Sequence, residues 1–240
     1  MRAAFLSDIH GNAIALEAVL KDIQKQRVDK LFVLGDLCFR GPDPKKALEL
    51  IKGLDAPVIK GNADEWIVRG IQQGEVPDSA YDIMTKERNW AVQRLTAEDL
   101  DYLKNLPTEI KDQWTEGVTF HAFHATPNSL FKNILPDSDE ETLKTNLCVE
   151  PADLYLYGHI HKAYVKYVDG KTIVNLGSVG LPFDGVTCAS YAIVEAEGQR
   201  LRVSIEKVPY ALDKVIEQYQ ESDYPNKEMM VQVIKNGKLG

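Results

Sequence analysis

The chain has 240 residues, with 28 Lys and Arg against 36 Asp and Glu, a net charge of −8. Non-specific nucleic-acid binding needs a basic face to displace counterions, so that balance argues against it; 44% apolar and 27% charged residues argue against disorder. No run of aliphatic or aromatic residues exceeds four, whereas a membrane-spanning helix needs about 20.

The first residues, Met1 to Asp8, reach a charge before an apolar signal region can form, so no secretory leader is expected. Cys38, Cys148 and Cys188 are odd in number and lack a Cys-x-x-Cys pair, which fits free thiols in a reducing cytoplasm rather than a disulfide framework. The length predicts one large domain over residues 1–240.

In chain order, Ala3 to Leu6 reads as a buried strand. Asn12 to Gln26 reads as a helix, with Ile14, Leu16, Val19, Leu20 and Ile23 at helical spacing. Leu31 to Leu34 is a second strand, and Pro44 opens a helix carrying Ala47, Leu48 and Ile51. Val58-Ile59 is a third short strand. Such repeated βαβ units predict parallel strands with functional loops at their C-terminal ends. Residues 63–115 read as a mainly helical insertion, with Trp66, Ile67, Ile71, Met84, Trp90, Leu95, Leu100 and Leu103 at helical intervals up to about residue 106. Short strands then return at 118–123, 154–157, 163–167, 173–176, 191–194 and 201–205, with turns at Asp169-Gly170 and Glu197-Gly198. Residues 209–220 read as helix, and the last twenty as peripheral.

The ends of these strands carry metal-type ligands: Asp8-x-His10, Gly35-Asp36, Gly61-Asn62, His124 and Gly158-His159-x-His161. All five histidines, at 10, 121, 124, 159 and 161, fall at or beside them. Asp, His and Asn mix oxygen and nitrogen donors, which suits Mn, Fe or Zn better than Ca. Six or seven ligands exceed the needs of one tetrahedral ion. A pair of ions about 3.5–4 Å apart, sharing a carboxylate, would use them all and clamp a phosphoryl group.

In that order, Asp8-x-His10, Gly35-Asp36, Gly61-Asn62-x-Asp64, His124-x-x-Pro127 and Gly158-His159-x-His161 resemble the five blocks of the calcineurin-like metallophosphoesterases, most of all the small bacterial and archaeal phosphodiesterase type. The similarity continues into Asn175-x-Gly177-Ser178-Val179-Gly180. The resemblance implies an α/β fold, a four-layer αββα sandwich with the site between the sheets. It implies that Asp8, His10, Asp36 and His161 hold one ion, and that Asp36 bridges to a second held by Asn62, His124 and His159. It also implies hydrolysis by a hydroxide bridging two divalent transition-metal ions, with Mn expected and Fe, Zn or Ni as alternatives. Gly35-Asp36-x-x-x-Arg40-Gly41 resembles the phosphate-gripping block of Ser/Thr phosphatases and diadenosine tetraphosphate hydrolases, although Phe39 replaces that block's second aspartate. Asp36, Arg40 and Asn62 are therefore the expected catalytic residues.

Ala63 stands where many relatives have a histidine that helps protonate the leaving oxygen. Losing such a group costs about 10²–10⁴-fold, least for activated leaving groups, and the replacement is associated with diesterase over monoesterase activity. The expected substrate is a small phosphate ester or nucleotide-like diester. The alternatives are a phosphomonoesterase or nucleoside-polyphosphate hydrolase and, more remotely, a non-catalytic scaffold of the same fold. For Asn12 a helix cap is favoured over substrate contact; for Asp64, cap and support of the ligands weigh equally. His121, Cys38, Trp66 and Trp90 read as structural.

Overall fold

The computed structural model describes residues 1–115 and 117–238; residues 116, 239 and 240 of the expected single domain lie outside the described residues. Among the described residues, nine strands form two sheets. The first runs β2-β1-β8-β9, from β1 (Arg2–Leu6), β2 (Lys30–Val33), β8 (Ala189–Glu197) and β9 (Arg200–Val208). The second runs β3-β4-β5-β7-β6, from β3 (Glu109–Thr115), β4 (Val118–Phe123), β5 (Leu154–Tyr157), β6 (Tyr164–Val168) and β7 (Lys171–Asn175). The pairs β1–β2, β4–β5 and β5–β7 are parallel, so the strand ends that carry ligands open on one rim; the remaining pairs are antiparallel.

Three apolar interfaces make four layers. Between the sheets, Phe5 stacks on Phe32 at 4.7 Å, and Phe120 and Trp114 close around them. On the outer face of the first sheet lie α1 (Ala13–Gln26), α2 (Pro44–Lys52), α7 (Leu212–Glu221) and α8 (Lys227–Asn236). The same apolar cluster takes in α3 (Asn62–Arg69), α4 (Asp78–Val92) and α5 (Ala97–Asn105). On the outer face of the second sheet, α6 (Glu140–Leu147) sets Leu143 and Leu147 against Phe123, Tyr155 and Ile173.

Local signals start these elements where they do. The Asn12 side chain accepts from Ala15 N at 3.0 Å and so caps α1; Asp43 caps α2 ahead of Pro44. Asp169 and Gly170 both have positive φ and turn the β6–β7 hairpin; Gly198 does so between β8 and β9.

Four readings need correction. Val58-Ile59 forms no strand of its own, only an isolated parallel bridge from Val58 to Val33. The expected helical stretch to residue 115 ends at Asn105, and Glu109–Thr115 is a strand paired antiparallel to β4. Residues 140–147, given no element from sequence, form α6. The last residues are not peripheral: Met230, Val231, Val233 and Ile234 of α8 are buried in the helical layer.

Candidate metal centre

The loops after β1 and β2 are laced together. Asp8 N donates to Gly35 O at 3.0 Å, His10 N to Asp36 O at 2.9 Å and Gly11 N to Leu37 O at 2.8 Å. The loop after β5 joins them where His159 N donates to Asp8 Oδ2 at 3.0 Å. These loops hold a strained backbone. Of eight non-glycine residues with positive φ among the described residues, six are Asp8, His10, Asp36, Arg40, His159 and His161, at 47° to 68°. Each left-handed residue costs about 1–3 kcal/mol and persists only where its surroundings enforce it.

The side chains converge in two sets. Ligand atoms of Asp8, His10, Asp36 and His161 all lie within 4.8 Å of one another. His10 Nε2 is 3.1 Å from His161 Nε2 and 3.6 Å from Asp36 Oδ2, and His161 Nε2 is 3.1 Å from Asp8 Oδ1. In the second set, Asn62 Oδ1 is 3.0 Å from His124 Nε2 and 2.8 Å from His159 Nδ1, while Asp36 Oδ1 is 3.4 Å from His124 Nε2. Asp36 thus turns one oxygen to each set. Metal–ligand bonds of about 2.0–2.2 Å put neighbouring donors about 3 Å apart, so both sets have the spacing of a coordination shell.

Tautomers supply an independent test of fit. The Nδ1 atoms of His10 and His124 sit 2.7 Å from the Phe39 and Leu34 carbonyls, and His161 Nδ1 bonds the Leu181 carbonyl. A carbonyl only accepts, so each Nδ1 carries the proton and, in a neutral ring, each Nε2 is a bare lone pair. His10 and His161 then face each other acceptor to acceptor, as do His124 and Asn62. Such contacts repel unless a cation lies between them.

A proton can act as that cation. Burial opposes a charge on His124, but the Asp36 carboxylate and its hydrogen bond, with Asp8, push the pKa up to about 10. Burial likewise opposes charge on His10, and Asp8 and Asp36 raise it. Burial alone would raise the Asp8 and Asp36 carboxyls; histidine contacts hold Asp8 well below the usual range and Asp36 below it. His159 goes the other way, to about 4, through burial and the charge of His124.

Asp64 supports the centre. Its carboxylate accepts from Asp36 N and Leu37 N at 2.8 Å and from Gly61 N at 2.9 Å, so one side chain both caps α3 and ties two ligand loops. Asn12 caps α1 and donates to Gly180 O; His121 meets Glu109 at 2.8 Å on the second sheet. Cys38 is buried. Trp90 packs on Tyr224 in the helical layer, but Trp66 also walls a cavity of about 130 Å³ that contains His10, Asp36, Arg40 and Asn62. Ala63 lines that cavity, and its N donates to Asp36 Oδ1 at 2.8 Å.

Three features of the site have no counterpart in the motif reading. Phe183 stacks on His161 with ring centres 4.3 Å apart. A groove of about 770 Å³, with Asn133, Leu135, Lys162 and Lys238 on its walls, shares His159 and Phe183 with the metal cavity. Glu87, from α4, reaches Arg40.

Buried, paired acceptor sets between two sheets define a metal-binding α/β protein. The sequence profile of the calcineurin-like phosphoesterase superfamily domain matches residues 1–199, and the chain belongs to that family. The crystal structure of a metallophosphoesterase from Sphaerobacter thermophilus is similar over 99% of each chain, with 30% identity and a TM-score of 0.79. An uncharacterized protein of Methanocaldococcus jannaschii is 28% identical over 92% of this chain and 93% of its own length. A symmetrical bis(5'-nucleosyl)-tetraphosphatase of Pectobacterium carotovorum is 30% identical, over 35% of this chain and 32% of its own.

Proposed function

We propose that this chain is a metal-dependent phosphodiesterase with a dinuclear centre. Asp8, His10, Asp36 and His161 would hold one ion, and Asp36, Asn62, His124 and His159 the other. The observation that carries this reading is the division of the Asp36 carboxylate between two acceptor-rich sets. Mixed imidazole, carboxylate and amide donors suit Mn, with Fe, Zn or Ni as alternatives. When bound, such a pair supplies Lewis-acid stabilisation of a phosphoryl group and activates water.

The chain's own residues shape what reacts there. The cavity at the ligands is about 130 Å³, room for little more than a phosphoryl group. The adjoining groove therefore takes the organic part of the substrate, with Leu135 and Phe183 against its apolar face. Lys162 and Lys238, beside Asp184 on that wall, favour a diester that carries a further anionic group beyond the reacting phosphate. Arg40, 15% exposed at the cavity, presents a guanidinium that matches phosphate oxygens in pairs. Ala63 offers no proton to a departing oxygen, which favours good leaving groups. We read Asn62–Asn105 as a helical insertion in a single cytoplasmic domain.

Arg40 and the partial likeness to a bis(5'-nucleosyl)-tetraphosphatase favour a second reading, hydrolysis of a nucleoside polyphosphate. The convergence of Asp8, His10, Asp36 and His161, and of Asn62, His124 and His159, supports this reading over a scaffold that has lost its ligands. The test is the initial rate on bis(nitrophenyl) phosphate and on nitrophenyl phosphate, after stripping with chelator and refilling with Mn²⁺. A metal-dependent rate higher on the diester is expected. A higher monoester rate would refute the diesterase reading, and metal-independent rates would refute the metal centre.

A further inference from the structure

Helix α4 faces the metal cavity with Met84 and, one turn later, sets Glu87 behind Arg40. Glu87 is fully buried, and Arg40 is its one ion-pair partner among the described residues, with Nε to Oε2 at 3.2 Å. Its other oxygen accepts from Asn226 Nδ2 at 3.0 Å. Arg40 is fixed at its backbone too: φ is +68°, and the carbonyl accepts from the Tyr219 hydroxyl at 2.8 Å. Among the described residues no protein group bonds its Nη atoms.

A buried ion pair is poor stabilisation, and an apolar pair of the same volume often serves a fold as well or better. An ion pair at a cavity wall that meets a guanidinium on its Nε side, by charge and not by a hydrogen bond, does something an apolar pair cannot: its attraction favours one orientation of the group and so directs the free edge. Arginine side chains are otherwise rich in rotamers, and that freedom is lost when a phosphate is bound.

We infer that Glu87 is a positioning residue for Arg40, holding the guanidinium so that its Nη edge meets the phosphate in the metal cavity. This rests on the phosphate-gripping role proposed above for Arg40. It makes helices α4 and α7 and the residue that precedes α8 part of phosphate recognition, since Glu87 comes from α4, Tyr219 from α7, and Asn226 stands just before α8. Glu87 touches neither substrate nor ligands and acts only through Arg40.

The test is a double-mutant cycle on the full Mn²⁺-loaded chain, reading inorganic phosphate binding by calorimetry beside kcat/KM on the diester. Arg40→Ala and Glu87→Gln are each expected to weaken phosphate, Glu87→Gln by about tenfold, or about 1.4 kcal/mol. The double variant is expected to match Arg40→Ala alone. Glu87→Met, which keeps the volume and removes the charge, repeats the measurement if the amide variant unfolds. Wild-type phosphate affinity in both Glu87 variants, or effects that multiply in the double variant, would overturn the inference. If phosphate binds with the expected couplings but no ester is hydrolysed, only the proposed activity falls.

Discussion

Gly61→Ala tests whether Asp36 and His124 are metal ligands rather than core polar groups. Gly61 precedes Asn62 with φ near −102°, a conformation alanine adopts freely, so any effect is one of space. A Cβ there would lie 2.1 Å from Asp36 Oδ1, 2.6 Å from Asp36 N and 2.8 Å from His124 Cε1. Asp36 must retreat by about 1 Å to reach even a tight contact. Metal sites tolerate about 0.2 Å in ligand distance, and a 1 Å misplacement in an active site costs about 100-fold in rate. Overpacking of this kind costs about 1–3 kcal/mol, which in a chain of this length lowers Tm by about 2–12 °C. The matched control is Gly53→Ala at the end of α2, where the nearest atom is 3.4 Å away and the backbone is helical. Metal content, diester rate and Tm are measured on both. Gly61→Ala is expected to bind fewer than two ions and lose at least about 100-fold in kcat, while Gly53→Ala matches wild type. Two ions bound and full turnover in Gly61→Ala would refute the argument.

Ala63→His puts an imidazole on the cavity wall and is expected to raise the monoester rate relative to the diester rate, by up to about 10²-fold for a poor leaving group; an unchanged ratio refutes the role given to Ala63. pH separates the metal-loaded and stripped proteins. With no ion, His124 has its pKa raised from 6.5 to about 10, so its stabilising charge is fully present below pH 6.5 and lost as pH rises through about 10. An ion needs His124 neutral, so its affinity rises over the same range and its uptake releases protons. The Tm difference between metal-loaded and chelated protein is therefore expected to widen from pH 6.5 to 9; narrowing would contradict the assignment of His124.

The ligand loops after β1, β2, β4 and β5 were legible because each follows a short apolar strand, and the order of their Asp and His along the chain is the order in which these strands deliver them to one rim; the Gly61-Asn62 loop follows only an isolated bridge between Val58 and Val33. What the sequence hides is mostly long-range. Glu87 reads as one more charge on a helix; its partner lies far upstream, and only folding buries both. Trp66 has helical-core spacing, and nothing local shows that its ring also walls the cavity. Strand β3 escapes because Asp112 interrupts the alternation of Ile110 and Trp114, and α6 because Leu143 and Leu147 alone face the core. Helix α8 is a different case, since Met230, Val231, Val233 and Ile234 do form an apolar helical face.

The dinuclear assignment turns on Asp36, whose two oxygens face His10 at 3.6 Å and His124 at 3.4 Å. The direct measurement is metal stoichiometry after Mn²⁺ refilling of wild type and Asp36→Asn, by elemental analysis, with the diester rate taken on the same samples. Two ions per chain in wild type, one or none in a folded Asp36→Asn, and loss of turnover with the second ion are expected. Two ions per chain in Asp36→Asn with wild-type turnover would contradict a shared carboxylate, and with it the two-metal phosphodiesterase.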